Sequence, residues 1–169
     1  MLDSGVDVLK IEGRGRSADY VYTTTQCYKE AINAYNEGTY TKEKIDEWKT
    51  RLDTVFNRGF WDGYYLGKEI GEWHNVDGSK ATKRKVYVGK GVKYFDNVKV
   101  GEFKIETHSL AIGDEILIIG PTTGLIQTKV AELRLNDASV NMVQKGDTMS
   151  MPINEKIRPS DKLYKLVEA

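Results

Sequence analysis

The sequence predicts an α+β chain in two parts: one strand and two helices that read as a fragment of an α/β domain, followed by a small all-β barrel. Two observations predict it. Gly5 to Gly13 is an almost continuously apolar, β-branched run bounded by glycines, the pattern of a strand buried on both faces of a parallel sheet. From Val86 onward the hydrophobic period changes from 3.6 to short extended runs separated by turn residues. A lone parallel strand has no neighbour to pair with, so the chain is expected to be the C-terminal piece of a longer protein. The boundaries expected are 1–72 for the strand, helices and an aromatic loop, 73–85 for a linker, and 86–169 for the barrel.

Ser17 is the expected N-cap of the first helix, in which Tyr20, Thr24, Tyr28, Ile32 and Tyr35 form an apolar stripe, and Gly38 stops it. Thr41 is expected to cap a second helix with Lys44 at its third position; Ile45, Trp48, Leu52, Val55 and Phe56 line one side, and Gly59 ends it. Asn57 to Gly67 alternates glycines with aromatics and suits a compact loop. The strands expected beyond are 86–89, 97–107, 115–120, 126–135, 139–143, 148–151 and 162–167. Gly-Asp pairs at 113–114 and 146–147 each precede a strand and suggest an internal repeat.

The 169 residues carry 25 Lys and Arg against 25 Asp and Glu. That balance leaves no global positive field, so any nucleic-acid contact must be local. At 40% hydrophobic with three prolines, the composition is that of a packed globular protein. Cys27 alone makes no internal disulfide and assembles no zinc or iron–sulfur site, and His74 and His108 stand in no ligand-like spacing, so no metal and no cofactor are expected in this chain. Cys27 reads as a small core residue. No run of about 18 apolar residues occurs, and the N-terminal segment is charged where a signal peptide needs an apolar stretch. The expectation is a cytoplasmic protein with no membrane partner.

Candidate chemistry gathers at Lys10-Ile11-Glu12-Gly13-Arg14-Gly15-Arg16, where the expected strand runs into a helix. Strand alternation puts Lys10 and Glu12 on one face and Leu9 and Ile11 on the other. With Leu9 and Ile11 packed on helices, Lys10 and Glu12 point into the mouth of a barrel beside Arg14 and Arg16. Such a group either binds an anion or holds an acid–base pair, or else Lys10, Glu12 and Arg14 form an ion-pair network that caps the strand. Lys80, Lys83, Arg84 and Lys85 form the densest basic cluster, extended by Lys90 and Lys93, and read either as a phosphate-binding edge or as a solvated linker. Phe60, Trp61, Tyr64 and Tyr65 either stack on bases or fill the junction between the two parts.

Ser4 to Arg14, followed by Ser17, Tyr20, Val21, Tyr28, Ala31 and Ile32, resembles the last barrel strand and following helix of the peptidase U32 family, and Asn57 to Gly67 resembles that family's next motif. Leu110 to Pro121 and Val143 to Pro152 resemble the small barrel that ends many of its members, which is similar in turn to domain 2 of translation elongation factors. The resemblance implies that residues 1–72 end a TIM-like catalytic barrel lying mostly upstream, together with the family's signature cysteines. It implies one of several chemistries: collagenase-like proteolysis, hydroxylation of tRNA or ribosomal RNA, or quinone hydroxylation with an iron–sulfur cluster. Lys10, Glu12 and Arg14 match motif positions at the catalytic face, with Arg16 and Arg58 beside them. Gly15 departs from the larger residue common in relatives, which loosens the turn. The partners implied are a peptide or protein substrate or an RNA, and the upstream barrel. The small barrel is then an accessory substrate- or RNA-binding module, or alternatively a non-catalytic surface for homo-oligomerisation. This chain by itself is expected to be inactive.

Overall fold

Helix α1 spans Ala18–Asn36 and α2 spans Lys42–Asp53 in a computed structural model that describes residues 1–60 and 78–169. The chain divides into two units, Met1–Thr82 and Lys83–Ala169. Trp61, Tyr64 and Tyr65 of the expected aromatic loop, His74, and linker positions 73–77 lie outside the described residues.

In the first unit the Thr41 hydroxyl accepts the Lys44 backbone N–H at the start of α2, as its spacing predicts. Ser17 takes the N-cap position of α1 without a side-chain bond, and Gly38, at φ 67°, follows the helix end. Helix α2 ends before Val55 and Phe56. The two helices meet through Cys27, Ala34 and Trp48, with Ala31, Ile45 and Leu52 packed around them. Glu30 pins this contact from its edge: it accepts the Trp48 indole N–H at 3.0 Å and a two-pronged bond from Arg51 at 2.5 and 3.0 Å.

The buried strand expected at 5–13 is not formed. Residues 6–13 adopt no regular structure, and Val8 is 80% exposed. A strand exists only when its N–H and C=O groups have a neighbour to bond, and the described residues give this segment none.

The second unit is entirely antiparallel. Its strands are β1 (Lys83–Phe95), β2 (Val100–Ile105), β3 (Ser109–Ala111), β4 (Glu115–Gly120), β5 (Gly124–Lys129), β6 (Leu133–Leu135), β7 (Ala138–Val140), β8 (Met142–Gln144), β9 (Thr148–Pro152) and β10 (Lys162–Glu168). Eight of them form a sheet in the order β5-β4-β10-β1-β2-β9-β6-β7, and β3 pairs with β8. Side chains from nine of the ten strands meet in one apolar cluster that includes Val88, Phe103, Leu110, Ile116, Leu133, Val143 and Leu163, and Val140 of β7 packs against it. The sheet therefore wraps a single core.

The structure redraws several expected strands. Residues 83–85, expected as linker, open β1. The run expected at 126–135 breaks at Val130 into β5 and β6, and the run at 139–143 divides into β7 and β8. Strand β1 carries irregularities at Tyr87/Gly89 and Gly91/Lys93, which bend it so that its first half pairs with β10 and its second half with β2.

The Gly-Asp repeat is threefold. Asp114 accepts the Ala111 N–H at 2.8 Å, Asp147 accepts the Gln144 N–H at 2.8 Å, and Asp161 accepts the Arg158 N–H at 2.7 Å. The residue before each aspartate has a positive φ: 91° at Gly113, 102° at Gly146 and 72° at Ser160. Each turn also brackets one residue of a distant segment. Gly113 N–H bonds Val130 O while Val130 N–H bonds Asp114 O, and the same exchange joins Gly146 and Asp147 to Ile105, and Ser160 and Asp161 to Gly91. Asp161 is the deepest of the three at 2% exposure, and it also accepts the Thr123 hydroxyl at 2.6 Å. Gly120 lies against it, since an added Cβ would stand 1.7 Å from its Oδ1.

Asp161→Ala strands a backbone N–H and a hydroxyl in the interior, and it is expected to destabilise the unit by about 2 kcal/mol or more. Ser160→Gly removes left-handed strain and should stabilise it by roughly 0.5 kcal/mol. Urea unfolding midpoints check both, and a neutral Asp161→Ala would refute the clamp.

Candidate functional site

Lys10, Glu12 and Arg14 are exposed. Their recorded contact is local, the Arg14 backbone N–H donating to Glu12 Oε1 at 2.7 Å. No ion pair joins the three among the described residues.

Arg16 and Arg58 are brought together. Both line a cleft of about 350 Å³ in the first unit, with Tyr20, Tyr28, Leu52 and Phe56 among its walls. The Arg16 guanidinium lies 3.9 Å from the Phe56 ring centre and 5.7 Å from that of Tyr20. Two aromatic rings thus hold its plane and leave its N–H edges to bind an anion. Thr24 also lines the cleft, 7% exposed, with a hydroxyl that has no hydrogen-bond partner among the described residues. The periodicity reads Thr24 only as part of the helix stripe. Phe56 reads as core, and its stacking on Arg16 has no signal in the sequence because the two lie 40 residues apart.

Cys27 is buried, and its thiol is pushed up first by that burial, a shift that disfavours the reactive thiolate. Its Sγ faces the Trp48 carbonyl at 3.9 Å.

The basic cluster is dispersed. Lys80 is exposed in the first unit, and its backbone N–H donates to Asn57 O. Lys83 is bound to Glu115 at 2.5 Å, a carboxylate that also faces Lys129 at 3.6 Å. Strand alternation turns Arg84 to the other side of the pleat from Lys83 and Lys85, and Lys85 stands 6.0 Å over the Tyr164 ring. Further along β1, Glu106 takes the Tyr87 hydroxyl at 2.5 Å and the Lys90 ammonium at 2.7 Å. The bond from Lys90, then that from Tyr87, lowers the Glu106 carboxyl, and the bond to Glu106 pushes Tyr87 up to about 12.

The family model for peptidase family U32 matches residues 1–75. Residues 1–75 therefore belong to peptidase family U32. The whole chain is 58% identical over 165 residues to a protein of Porphyromonas gingivalis named Collagenase, a match covering 98% of this chain and 40% of that one. It is 36% identical over 166 residues to a protein of Methanocaldococcus jannaschii named as an uncharacterized protease, covering 96% and 40%. With tRNA hydroxylation protein P1 of Bacillus subtilis it shares 30% identity over 122 residues, covering 72% and 28%. The chain thus spans less than half the length of these relatives. Among solved structures it is similar to the C-terminal domain of a Geobacillus thermoleovorans U32 peptidase, with a TM-score of 0.45, 12% identity, and coverage of 47% of this chain and 90% of that one. Among the described residues no helix is long and apolar enough to cross a membrane.

The half-buried Glu115 carries a pH prediction for the second unit. The bond from Lys83 lowers its carboxyl in the fold below its ordinary 4.5. Its stabilising contribution is therefore complete above pH 4.5 and is lost as pH falls through the lowered folded value. Glu115→Gln should lower the urea midpoint at pH 7 and leave it nearly unchanged at pH 3; equal loss at both would show that the ion pair contributes nothing.

Proposed function

We propose that this U32 chain is the substrate-holding C-terminal region of a collagenase-like protease, with the β unit as an accessory binding module and bond cleavage carried out elsewhere in the protein. The observation that carries this reading is the 58% identity to the Porphyromonas gingivalis collagenase, which runs through both units. In this reading residues 5–13 take up their strand when the rest of a TIM-like barrel supplies a neighbour, and Lys10, Glu12 and Arg14 then stand at its mouth as acid–base and anion-binding groups. Arg16 and Arg58 hold a carboxylate or similar anion of the substrate in the cleft, where the stacking of Arg16 supports the role. The β unit is read as a small barrel akin to elongation factor domain 2, a reading supported by its single core, and the protein as cytoplasmic.

A second reading, hydroxylation of tRNA, draws on the similarity to the Bacillus subtilis protein. There the β unit holds RNA and any iron–sulfur cluster lies outside this chain.

The test pairs two assays on the protein that carries this chain: cleavage of gelatin and peptides by the purified protein, and mass spectrometry of tRNA nucleosides from cells lacking its gene. Under the protease reading the protein cleaves, Arg16→Ala with Arg58→Ala raises KM roughly tenfold or more, and the nucleosides are unchanged. Loss of a hydroxylated nucleoside with the gene, together with absence of cleavage, overturns it in favour of RNA.

A further inference from the structure

The register of the sheet sets three lysines side by side. Lys90 of β1 stands opposite Lys162 of β10 on one side and opposite Lys104 of β2 on the other. Adjacent strands lie about 4.8 Å apart, so the row spans roughly 10 Å. Like charges directly opposite in an antiparallel pair are destabilising, and here the cost is incurred twice with Lys90 in the middle. Compensation is incomplete. Glu106 serves Lys90, and the Lys104 ammonium bonds the Gly146 carbonyl at 2.5 Å, next to exposed Lys145. Lys162 is exposed and pairs with no carboxylate among the described residues. Residues 83–169 hold 14 Lys and Arg against 11 Asp and Glu, whereas residues 1–82 hold 11 against 14, so the neutral chain keeps its positive excess in the unit that bears this row.

Aromatic rings adjoin the lysines. Leu163 is fully buried, so its strand neighbours Lys162 and Tyr164 share the outer face. Tyr164 stands opposite Tyr87, with ring centres 5.7 Å apart at 69°, and the Lys85 ammonium lies over the Tyr164 ring. The bond from Tyr87 to Glu106 fixes one ring of the pair.

We infer that the outer face of β10, β1 and β2 is a docking surface for single-stranded RNA, with Lys162, Lys90 and Lys104 on the phosphates and Tyr164 and Tyr87 under the bases. A lysine row alone suits any polyanion. A row beside an aromatic pair suits an unpaired strand, which offers phosphates and open base faces together, whereas a duplex keeps its bases stacked inside. The inference rests on the reading of the β unit as a binding module, and it moves the contact from Lys80, Lys83, Arg84 and Lys85 to the middle of the sheet.

The experiment titrates the full chain into a fluorescein-labelled 12-residue oligouridylate and follows anisotropy across a NaCl series. The combined Lys90→Gln, Lys104→Gln, Lys162→Gln variant should bind at least tenfold more weakly. Its salt slope should flatten by about 2, since each phosphate contact on a single strand contributes about 0.7. Tyr164→Ala should weaken binding roughly tenfold with the slope unchanged, and Lys49→Gln in α2 should have no effect. The lysine variant should keep or raise the urea midpoint, because it relieves repulsion; the exposed Lys162→Gln alone, expected to lose affinity in part, serves if the combined variant fails to fold. If the unaltered chain binds no oligouridylate, this surface is refuted, while the proposed function stands or falls separately on the gelatin and nucleoside assays. If it binds and the lysine variant is unaffected while Lys80→Ala with Arg84→Ala weakens it, this surface alone is refuted. Loss in the lysine variant with Tyr164→Ala unaffected overturns the single-strand assignment in favour of a general polyanion surface.

Discussion

The β unit depends on an aspartate that accepts the N–H three residues before it. Each of the three turns built this way aims the strand that follows it, β4, β9 or β10, and each grips one residue from a distant part of the chain through two backbone bonds. Short strands joined by irregular loops have many near-equivalent ways to pair. A turn that fixes a positive φ, a side-chain bond and a two-bond clasp at once removes most of them. The third copy does so with Ser160 in place of glycine, and it compensates with the deepest aspartate and the added bond from Thr123. The helical unit relies on a comparable arrangement at smaller scale, where one carboxylate, Glu30, ties Trp48 and Arg51 of α2 to α1.

What could be read in advance followed the range of the interaction. Helices α1 and α2 were legible because caps and periodicity act over a few residues: Thr41 with Lys44, Gly38, and the stripe through Thr24 and Ile32. Strand β4 was legible from end to end, since 115–120 is an apolar run directly behind a Gly-Asp turn. The third turn escaped because Ser160 hides a left-handed position that the eye seeks as glycine. The breaks at Val130 and Asn141 escaped because they are set by where distant strands pair, not by local residues.

The segment at 5–13 failed in an instructive way. Its β-branched run states a preference for extended backbone, but that preference yields a strand only with a partner. The basic cluster differs for another reason: four neighbouring charges look like one patch in sequence, yet the pleat of β1 turns Arg84 away from Lys83 and Lys85, and Glu115 occupies Lys83. The juxtaposition of Lys90, Lys104 and Lys162 was invisible for the converse reason, since residues far apart in the chain become neighbours only through register. Arg16 on Phe56 belongs to the same class.

The place of β10 in the sheet has a consequence for synthesis. It is the last strand of its unit to leave the ribosome, yet it sits between β4 and β1 and bridges two groups of strands, β4 with β5 and β1 with β2 and β9. Until residues 162–168 emerge, those groups have no ladder between them, and β1 and β4 both present open edges. Closure pairs Lys83 with Glu168 across the full length of the unit, a contact order that makes folding slow and all-or-none. The nascent unit therefore keeps those two edges unpaired until its final strand is made, and a chain shortened by a few residues at that strand would lose the whole sheet rather than one edge of it.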